Sequence, residues 1–255
     1  MAPGTEHRTS GGPEGRRVLA IVTNYGVEQD ELVVPLEHLR GEGVQVDVAA
    51  TSADDVQTLV GDKDPGRTVT PNLTHSDADP AEYDLLLVPG GTINADALRL
   101  QDDAVSLVRA FAAAGKPVAA ICHGPWALVE AAAVEGKTLT SYASLETDVL
   151  NAGGAWVDRS VVRDDEGYTL VTSRDPGDLD AFLREVDAVL AGCRAPAGQP
   201  GGRAGGARSG PGRPGRARRA GPARGVCWPG ARSAAPSART RTADAARGTG
   251  STCPS

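Results

Sequence analysis

The sequence predicts an α/β fold in which a mostly parallel sheet is covered by helices on both faces. Between residues 17 and 192, short apolar runs alternate with amphipathic stretches of helical length. The short runs are continuously apolar, which is typical of parallel strands that are buried on both faces. Glycine or proline closes most of the segments, as expected where strands and helices end. One domain of about 175 residues accommodates the pattern.

The individual elements follow in chain order. Buried strands are predicted at residues 18–23, 44–49, 84–88 and 117–121. Helices are predicted at residues 31–41, 95–114, 124–133 and 178–190. Residues 155–163 and 168–172 are predicted to pair as strands across a polar turn at residues 164–167.

The charge distribution divides the chain into unlike parts. Of 26 Lys+Arg and 33 Asp+Glu residues, residues 194–255 hold 12 arginines, no lysine and a single acid, Asp244. The rest is therefore strongly acidic, which argues against nucleic-acid binding by the main body. We predict a disordered leader at residues 1–16, a domain at residues 17–192 and a disordered Arg/Gly/Pro/Ala-rich tail at residues 193–255.

Two hypotheses account for the tail. Its arginines permit non-specific electrostatic contact with nucleic acid, but it has no repeat, no helical periodicity and no aromatic residue apart from Trp228. Its composition also fits a frameshifted extension of a domain that ends near Gly192. We expect no nucleic-acid partner beyond such non-specific contact.

Other features restrict the class of protein. No run approaches the roughly 18 apolar residues that span a bilayer, and the leader lacks the apolar core of a secretory signal. The four cysteines show neither CxxC nor metal-ligand spacing. We therefore expect a cytoplasmic protein with no membrane association, no disulfide scaffold, no metal and no cofactor.

The most informative segment is Val-Ala-Ala-Ile-Cys-His-Gly-Pro at residues 118–125. A buried strand runs directly into small residues and a helix, with Cys122 at the turn, which is the arrangement of a nucleophile elbow. The start of a helix stabilises a thiolate, so we expect the pKa of the Cys122 thiol to be lowered. The alternative is that Cys122 is simply a small buried residue, as most free cysteines are.

Two further segments are predicted to meet Cys122 at one edge of the sheet. Ligands of open α/β sheets bind beyond the carboxyl ends of the strands, and residues 24–28 and 89–91 follow two other predicted strands. Glu28 is expected beside the sulfur, and Gly90 and Gly91 are expected to offer backbone N–H groups as an oxyanion hole. Taken singly, Glu28 fits a solvated loop acid and the glycines fit a plain turn. Their coincidence at one edge favours a site.

The histidines restrict the mechanism. The chain has four, at positions 7, 38, 75 and 123, and none follows residue 123. A glutamine amidotransferase or an α/β-hydrolase needs a base histidine well downstream of the elbow, so both are excluded in their usual form. His123 is adjacent to Cys122, but neighbouring helical side chains point about 100° apart. A local structural role and a catalytic role for His123 both remain open.

These motifs resemble those of the PfpI/ThiJ family of intracellular proteases, within the class I glutamine amidotransferase-like superfamily. The resemblance rests on residues 120–125, 89–91 and 26–28 with Glu31, and extends through residues 140–142, 151–153, 156–158 and 172–176. It covers about residues 17–192. It implies a flavodoxin-like three-layer α/β/α sandwich and a homo-oligomer, dimeric or larger.

For the site, the resemblance implies Cys122 as the nucleophile, with Glu28 hydrogen-bonded to its sulfur and His123 alongside. Protease-type members orient the histidine with a carboxylate from a neighbouring subunit, and the matching position here is Asp96. From its position alone, Asp96 is also typical of an acid at the start of a helix. Gly124 joins the glycines that are expected to contact the oxyanion or the substrate.

The reported activities of the family leave three functions open. The favoured one is glyoxalase- or deglycase-like hydrolysis of a small reactive carbonyl or its protein adduct. A peptide is the alternative substrate, attacked through the same first step but harder to cleave without a dedicated downstream His–acid pair. The third function is that of a redox sensor or holdase chaperone, in which Cys122 is oxidised rather than turned over.

Overall fold

A computed structural model describes residues 12–192 of the chain. Its strands are β1 (Arg17–Ile21), β2 (Tyr25–Glu28), β3 (Gln45–Ala50), β4 (Val56–Val60), β5 (Asp64–Val69), β6 (Leu73–Thr74), β7 (Leu85–Val88), β8 (Val118–Ile121), β9 (Thr138–Leu139), β10 (Ala155–Trp156), β11 (Val161–Asp164) and β12 (Leu170–Ser173). Its helices are α1 (Gln29–Gly41), α2 (Thr92–Leu98), α3 (Asp102–Ala113), α4 (Pro125–Glu130), α5 (Glu146–Asn151) and α6 (Leu179–Gly192).

The main sheet has the strand order β11-β12-β8-β7-β1-β3-β6. Its neighbouring strands run parallel except for the antiparallel pair β11 and β12. Side chains of β1 alternate between two cores: Val18 and Ala20 pack with α1 and α6, whereas Leu19 and Ile21 pack with α3 and α4. Both faces of the sheet are therefore covered by helices, which confirms the predicted mostly parallel α/β sandwich.

The helix predicted at residues 95–114 is two helices, α2 and α3. The break falls at residues 99–101, where Gln101 adopts an extended conformation and precedes α3. Asp102 and Asp103 occupy the first turn of α3, where acidic side chains favour a helix start. Leu100 is exposed at the break, so no buried side chain holds the two helices in line.

The strand predicted at residues 155–163 also divides in two. β11 pairs antiparallel with β12, as predicted for this hairpin. β10 instead pairs parallel with β9 in a separate two-stranded sheet. The four residues between β10 and β11 include Asp158 and Arg159, whose charged side chains are exposed to solvent. This polar segment therefore interrupts the predicted strand.

The sequence did not predict the hairpin formed by β4 and β5. These strands pair antiparallel and, with β2, form a three-stranded sheet. β5 is half-buried or exposed throughout and contains Pro65 and Gly66, so it lacks the apolar pattern of a core strand. The turn of this hairpin extends to the edge of the main sheet where the site lies.

Residues 12–16, which the sequence assigned to the leader, contact the domain. The Gly15 N–H donates to the Gly43 carbonyl at 3.0 Å, and the Arg16 guanidinium lies 3.4 Å from the Asp84 carboxylate. The predicted disorder of residues 1–11 and of the tail, residues 193–255, lies outside the described residues.

The helices of residues 12–192 include none that is both long and apolar enough to cross a membrane.

Candidate active site

The candidate site lies at the carboxyl ends of three adjacent strands. β8, β7 and β1 are neighbours in the main sheet. Cys122 follows β8, the Gly90-Gly91 turn follows β7, and residues 22–31 follow β1. The three segments surround a pocket of about 300 Å³. The convergence predicted from the sequence is therefore present in the fold.

Cys122 occupies a strained turn directly after β8. Its φ of 60° lies in the left-handed region that residues other than glycine rarely adopt. Its N–H donates to the Ser173 carbonyl at 3.0 Å, and its carbonyl accepts from the Tyr142 N–H at 2.8 Å. These two bonds hold the backbone in place while the side chain lines the pocket, which is the geometry of a nucleophile elbow.

Gly91 contributes its backbone to the pocket. It has a φ of 80°, and a Cβ at this position would lie 2.3 Å from the Gly26 carbonyl oxygen. Its N–H and that of His123 lie near the Cys122 sulfur and act to lower the pKa of the thiol. Two backbone donors therefore converge where negative charge would develop.

Gly90 and Gly124 do not have the roles that the sequence assigned to them. The Gly90 N–H donates to Oε2 of Glu31 at 2.8 Å, so it is not free for an oxyanion. The Gly124 N–H donates to the Ile121 carbonyl at 2.9 Å, and a Cβ there would lie 2.3 Å from the Val88 carbonyl oxygen. Gly124 thus permits close packing beneath the elbow rather than contact with a substrate.

The carboxyl group beside the thiol belongs to Glu31, which corrects the prediction that Glu28 contacts the sulfur. Glu31 is fully buried in the first turn of α1, and its carboxyl interacts with the Cys122 thiol. Its Oε1 has no partner of full hydrogen-bond geometry among the described residues, so the contact with sulfur is poorly aligned. Glu28 lines the same pocket, but as the last residue of β2 it turns to the hairpin and accepts from the Asp62 N–H at 3.2 Å.

Burial determines how this pair ionises. It raises the pKa of Glu31 to about 8, against the opposing effects of the contact with Cys122 and of the hydrogen bond from the Gly90 N–H. Burial also raises the pKa of the Cys122 thiol, and the charge of Glu31 raises it further. The expected lowering of the pKa of the thiol is wrong, because desolvation outweighs the N–H groups that favour the thiolate.

His123 lies close enough to Cys122 to accept its proton. Nδ1 is 3.2 Å from Sγ, and the ring stacks on Tyr142 with centroids 4.6 Å apart. Burial lowers the pKa of His123, so the imidazole is neutral at neutral pH. On the other side of the ring, Nε2 lies 3.4 Å from Thr92 Oγ1 and 3.4 Å from Ser144 Oγ.

Within one chain, Asp96 lies outside the pocket. It is exposed on α2 and is not among the residues that line the space around Cys122. Its role through a neighbouring subunit stays a prediction.

Asp62 in the turn between β4 and β5 is a carboxylate that sequence reasoning missed. Its two oxygens accept from the Thr92 N–H at 2.8 Å and from the Thr92 hydroxyl at 2.6 Å. The Gly61-Asp62 pair after an apolar strand is a hairpin signal that could have revealed it.

The buried side chain of Asn94 forms hydrogen bonds to the segments that follow β1 and β7. Its Oδ1 accepts from the Thr23 N–H at 2.7 Å, and its Nδ2 donates to the Gly90 carbonyl at 2.9 Å. The Gly90-Gly91 turn is therefore fixed against the end of β1. An asparagine soon after Pro-Gly-Gly is too ordinary a signal for the sequence to have identified it.

The pocket is acidic. Glu28, Asp62 and Asp175 line it together with Glu31, and none of its described lining residues is a lysine or an arginine. Across residues 12–192, no group of three or more His, Cys, Asp or Glu side chains is arranged to hold a metal ion. The site can therefore supply a thiol, an imidazole, carboxyl groups and backbone donors.

Comparisons with known proteins show which family and fold this chain resembles. A sequence model of the DJ-1/PfpI family matches residues 16–188. Deglycase PfpI of Pyrococcus furiosus is 39% identical over 163 residues, which cover 64% of this chain and 93% of that protein. YraA of Bacillus subtilis, named as a cysteine protease, is 42% identical over 120 residues, 47% of this chain and 69% of that one. The crystal structure of Drosophila melanogaster DJ-1beta matches with a TM-score of 0.62 and 28% identity, covering 70% of this chain and 91% of that one.

Proposed function

Because the chain belongs to the DJ-1/PfpI family, we propose that it is a cysteine-dependent hydrolase of small reactive carbonyls, with glyoxalase- or deglycase-like activity. The observation that carries the proposal is the convergence of Cys122, His123 and buried Glu31 on one pocket. Its volume of about 300 Å³ suits a 2-oxoaldehyde or a small adduct, being at the lower end for ligand sites. The deglycase name of the Pyrococcus relative supports the same substrate class.

The first step is addition of sulfur to the aldehyde carbon. The Cys122 proton passes to Nδ1 of His123, which lies 3.2 Å away, as the C–S bond forms. The former carbonyl oxygen takes the negative charge and is stabilised by the N–H groups of Gly91 and His123. Return of the proton from His123 to this oxygen gives a neutral hemithioacetal. The pKa of the Cys122 thiol is raised and that of the His123 imidazole is lowered. Both shifts favour proton transfer during the attack over a thiolate–imidazolium pair that exists before substrate binds.

The second step isomerises the hemithioacetal. Ionised Glu31 moves the proton from the carbon bonded to sulfur to the neighbouring carbon, and the hydroxyl proton passes from the first oxygen to the oxygen of that neighbouring carbon, which gives the thioester of a 2-hydroxy acid. Water then cleaves the thioester, releasing the hydroxy acid and restoring the thiol, so no outside oxidant or reductant is needed. A carboxyl with a pKa of about 8 suits a group that must accept and release a proton near neutral pH.

The proposal is tested with a substrate panel of methylglyoxal, a glycated peptide, fluorogenic peptides and casein. We expect turnover of methylglyoxal or release of the adduct, and loss of both in Cys122→Ala. Rapid cleavage of casein by an enzyme that leaves methylglyoxal unchanged would instead establish a cysteine peptidase. That alternative is favoured by the name of the Bacillus relative and by the Cys122–His123 contact.

A redox sensor or holdase is less well supported. Cys122 is 6% exposed and burial raises the pKa of its thiol, which opposes easy oxidation. If Cys122→Ser still protected client proteins from aggregation while all hydrolysis was lost, this function would replace the enzymatic one.

Homo-oligomer formation remains part of the proposal, with Asp96 reaching the histidine of a neighbouring subunit. Sedimentation of the full chain measures the assembly state. Asp96→Asn should slow turnover only if the assembled form is the active one.

A further inference from the structure

We propose that Asp62 and Thr92 of the same chain are positioning residues that hold His123 in the tautomer able to take the Cys122 proton. This inference rests on the proposed role of Cys122 as the nucleophile. It concerns a chain of contacts from the hairpin turn to the sulfur. The residues are Asp62, Thr92, His123 and Cys122.

The carboxylate of Asp62 fixes the hydroxyl hydrogen of Thr92. Oδ2 lies 2.6 Å from Thr92 Oγ1, and Oδ1 accepts from the Thr92 N–H at 2.8 Å. A hydroxyl held by a carboxylate acts as a donor to it, in a short charge-assisted bond. The remaining lone pairs of Thr92 Oγ1 are then left for other partners.

One of those partners is Nε2 of His123, 3.4 Å from Thr92 Oγ1. An imidazole nitrogen that faces lone pairs must carry the hydrogen, and a neutral imidazole carries only one. Nδ1 is therefore unprotonated, and its lone pair faces Sγ of Cys122 at 3.2 Å. The ring plane is set by stacking on Tyr142. Hydrogen bonds of this kind are often long in an empty site and shorten when substrate binds.

The turn that carries Asp62 is built unusually. Asp62 has a φ of 57° and follows Gly61 with a φ of 63°, so two successive residues lie in the left-handed region. For Asp62 this conformation carries a steric cost. The side chain that results bridges from the small sheet to the first residue of α2. A subunit thereby has its own carboxylate on the histidine side of the pocket, independent of any neighbour.

A simpler explanation is that Asp62 only caps α2 through the Thr92 N–H. The test separates the two. Thr92→Val keeps this N–H and the side-chain shape but removes the hydroxyl, whereas Thr92→Ser keeps the hydroxyl. Asp62→Asn replaces one of the two acceptor oxygens that hold Thr92 with an NH2 donor, and Ser144→Ala removes the other hydroxyl near Nε2. Asp62 is exposed, so its effect is on orientation more than on charge.

The readout is the rate at which iodoacetamide alkylates Cys122 in the full chain, followed by mass spectrometry of the peptide that contains it. We expect the rate to fall about tenfold in Thr92→Val and in Asp62→Asn. It should stay within about twofold of wild type in Thr92→Ser and Ser144→Ala. Wild-type rates in Thr92→Val, or a fall in Ser144→Ala without one in Thr92→Val, would overturn the inference.

A second measurement needs no altered Thr92 or Asp62. Nitrogen-15 NMR of the wild-type protein, with the His123 signals assigned by their loss in His123→Gln, should show hydrogen on Nε2 and none on Nδ1. Hydrogen on Nδ1 would overturn the inference even if a variant failed to fold. Both measurements are made without substrate. They can therefore support the positioning of His123 by Asp62 and Thr92 even if the enzyme does not hydrolyse methylglyoxal, and they can contradict that positioning even if it does.

Discussion

The elbow at Cys122 and the hairpin of β4 and β5 reach the same pocket by different physical routes. The elbow belongs to the seven-stranded sheet, and its cysteine is held by backbone bonds to Ser173 and Tyr142 among buried strands. The hairpin belongs to the small sheet, and its exposed Asp62 is held to the site by polar contacts with Thr92 and Glu28. Core packing thus fixes the nucleophile, whereas a few surface bonds fix the carboxylate of Asp62.

The largest effect is expected at the elbow. Cys122→Ala should lower turnover of the active substrate at least about thousandfold, because it removes the group that forms the covalent bond. Steady-state assays with methylglyoxal and the glycated peptide measure the loss. Residual turnover within tenfold of wild type would place the chemistry elsewhere. Circular dichroism should show an unchanged fold, because alanine leaves the backbone contacts of residue 122 in place.

Alanine substitutions at two glycines with positive φ, one in each region, compare how much each turn contributes to the free energy of unfolding. Gly91→Ala should lower the free energy of unfolding by about 3 kcal/mol or more, since its Cβ would lie 2.3 Å from the Gly26 oxygen and 2.6 Å from the Glu28 nitrogen. Gly61→Ala in the hairpin turn meets no atom within 4 Å and should cost only about 1 kcal/mol. Urea denaturation measures both. Equal losses would show that the hairpin turn is as tightly packed as the sheet edge.

Variants of Glu31 and Glu28 compare the contributions of the two regions to catalysis. Glu31 accepts a hydrogen bond from the Gly90 turn of the main sheet, whereas Glu28 accepts one from Asp62 in the hairpin. Glu31→Gln should lower kcat about a hundredfold, because an amide cannot shuttle a proton. Glu28→Gln should cost less than about tenfold. Alkylation of Cys122 should be nearly normal in both, which distinguishes loss of the proton shuttle from loss of the nucleophile. A larger loss in Glu28→Gln would restore Glu28 as the partner of the sulfur.

A further comparison of Glu31 with Glu28 comes from the pH dependence of stability. The folded pKa of Glu31, about 8, lies above its ordinary value of 4.5, so between these values the folded chain holds a proton that the unfolded chain has lost. Stability from this group is complete below about pH 4.5 and is lost as pH rises towards 8, by up to about 1.4 kcal/mol per pH unit. Urea midpoints across this range should decline less steeply in Glu31→Gln than in wild type. Glu28→Gln serves as the control, and identical slopes in all three proteins would contradict the assignment.

The sequence was sufficient to predict the parts of the site that depend on strand order. Continuous apolar runs identified the strands before Cys122 and Gly91, and parallel strands end at one edge of a sheet. The sequence could not decide whether Glu28 or Glu31 lies beside the thiol. The answer depends on α1 beginning at Gln29, which places the Glu31 carboxyl within hydrogen-bond distance of the Gly90 N–H. The sign of the shift in the pKa of the Cys122 thiol also depends on burial, which no local motif records.

Asp62 escaped prediction for a related reason. Its hairpin has one polar, exposed strand, and its contacts with Thr92 join residues 30 positions apart in the sequence. Long-range polar contacts of this kind leave no periodic pattern. Their presence is known only once the small sheet and the main sheet are both assembled.

Because the backbone of Cys122 is left-handed, thermal stability and catalytic turnover favour different residues at this one position. At a φ of 60° glycine is free of the steric cost that any side chain meets. Among inactive variants, glycine at position 122 should therefore be more stable than alanine by about 1 kcal/mol, the reverse of the order inside a helix. A directed-evolution experiment that screened only for heat resistance would favour glycine there and discard the sulfur. Selection for turnover has to act continually to keep it.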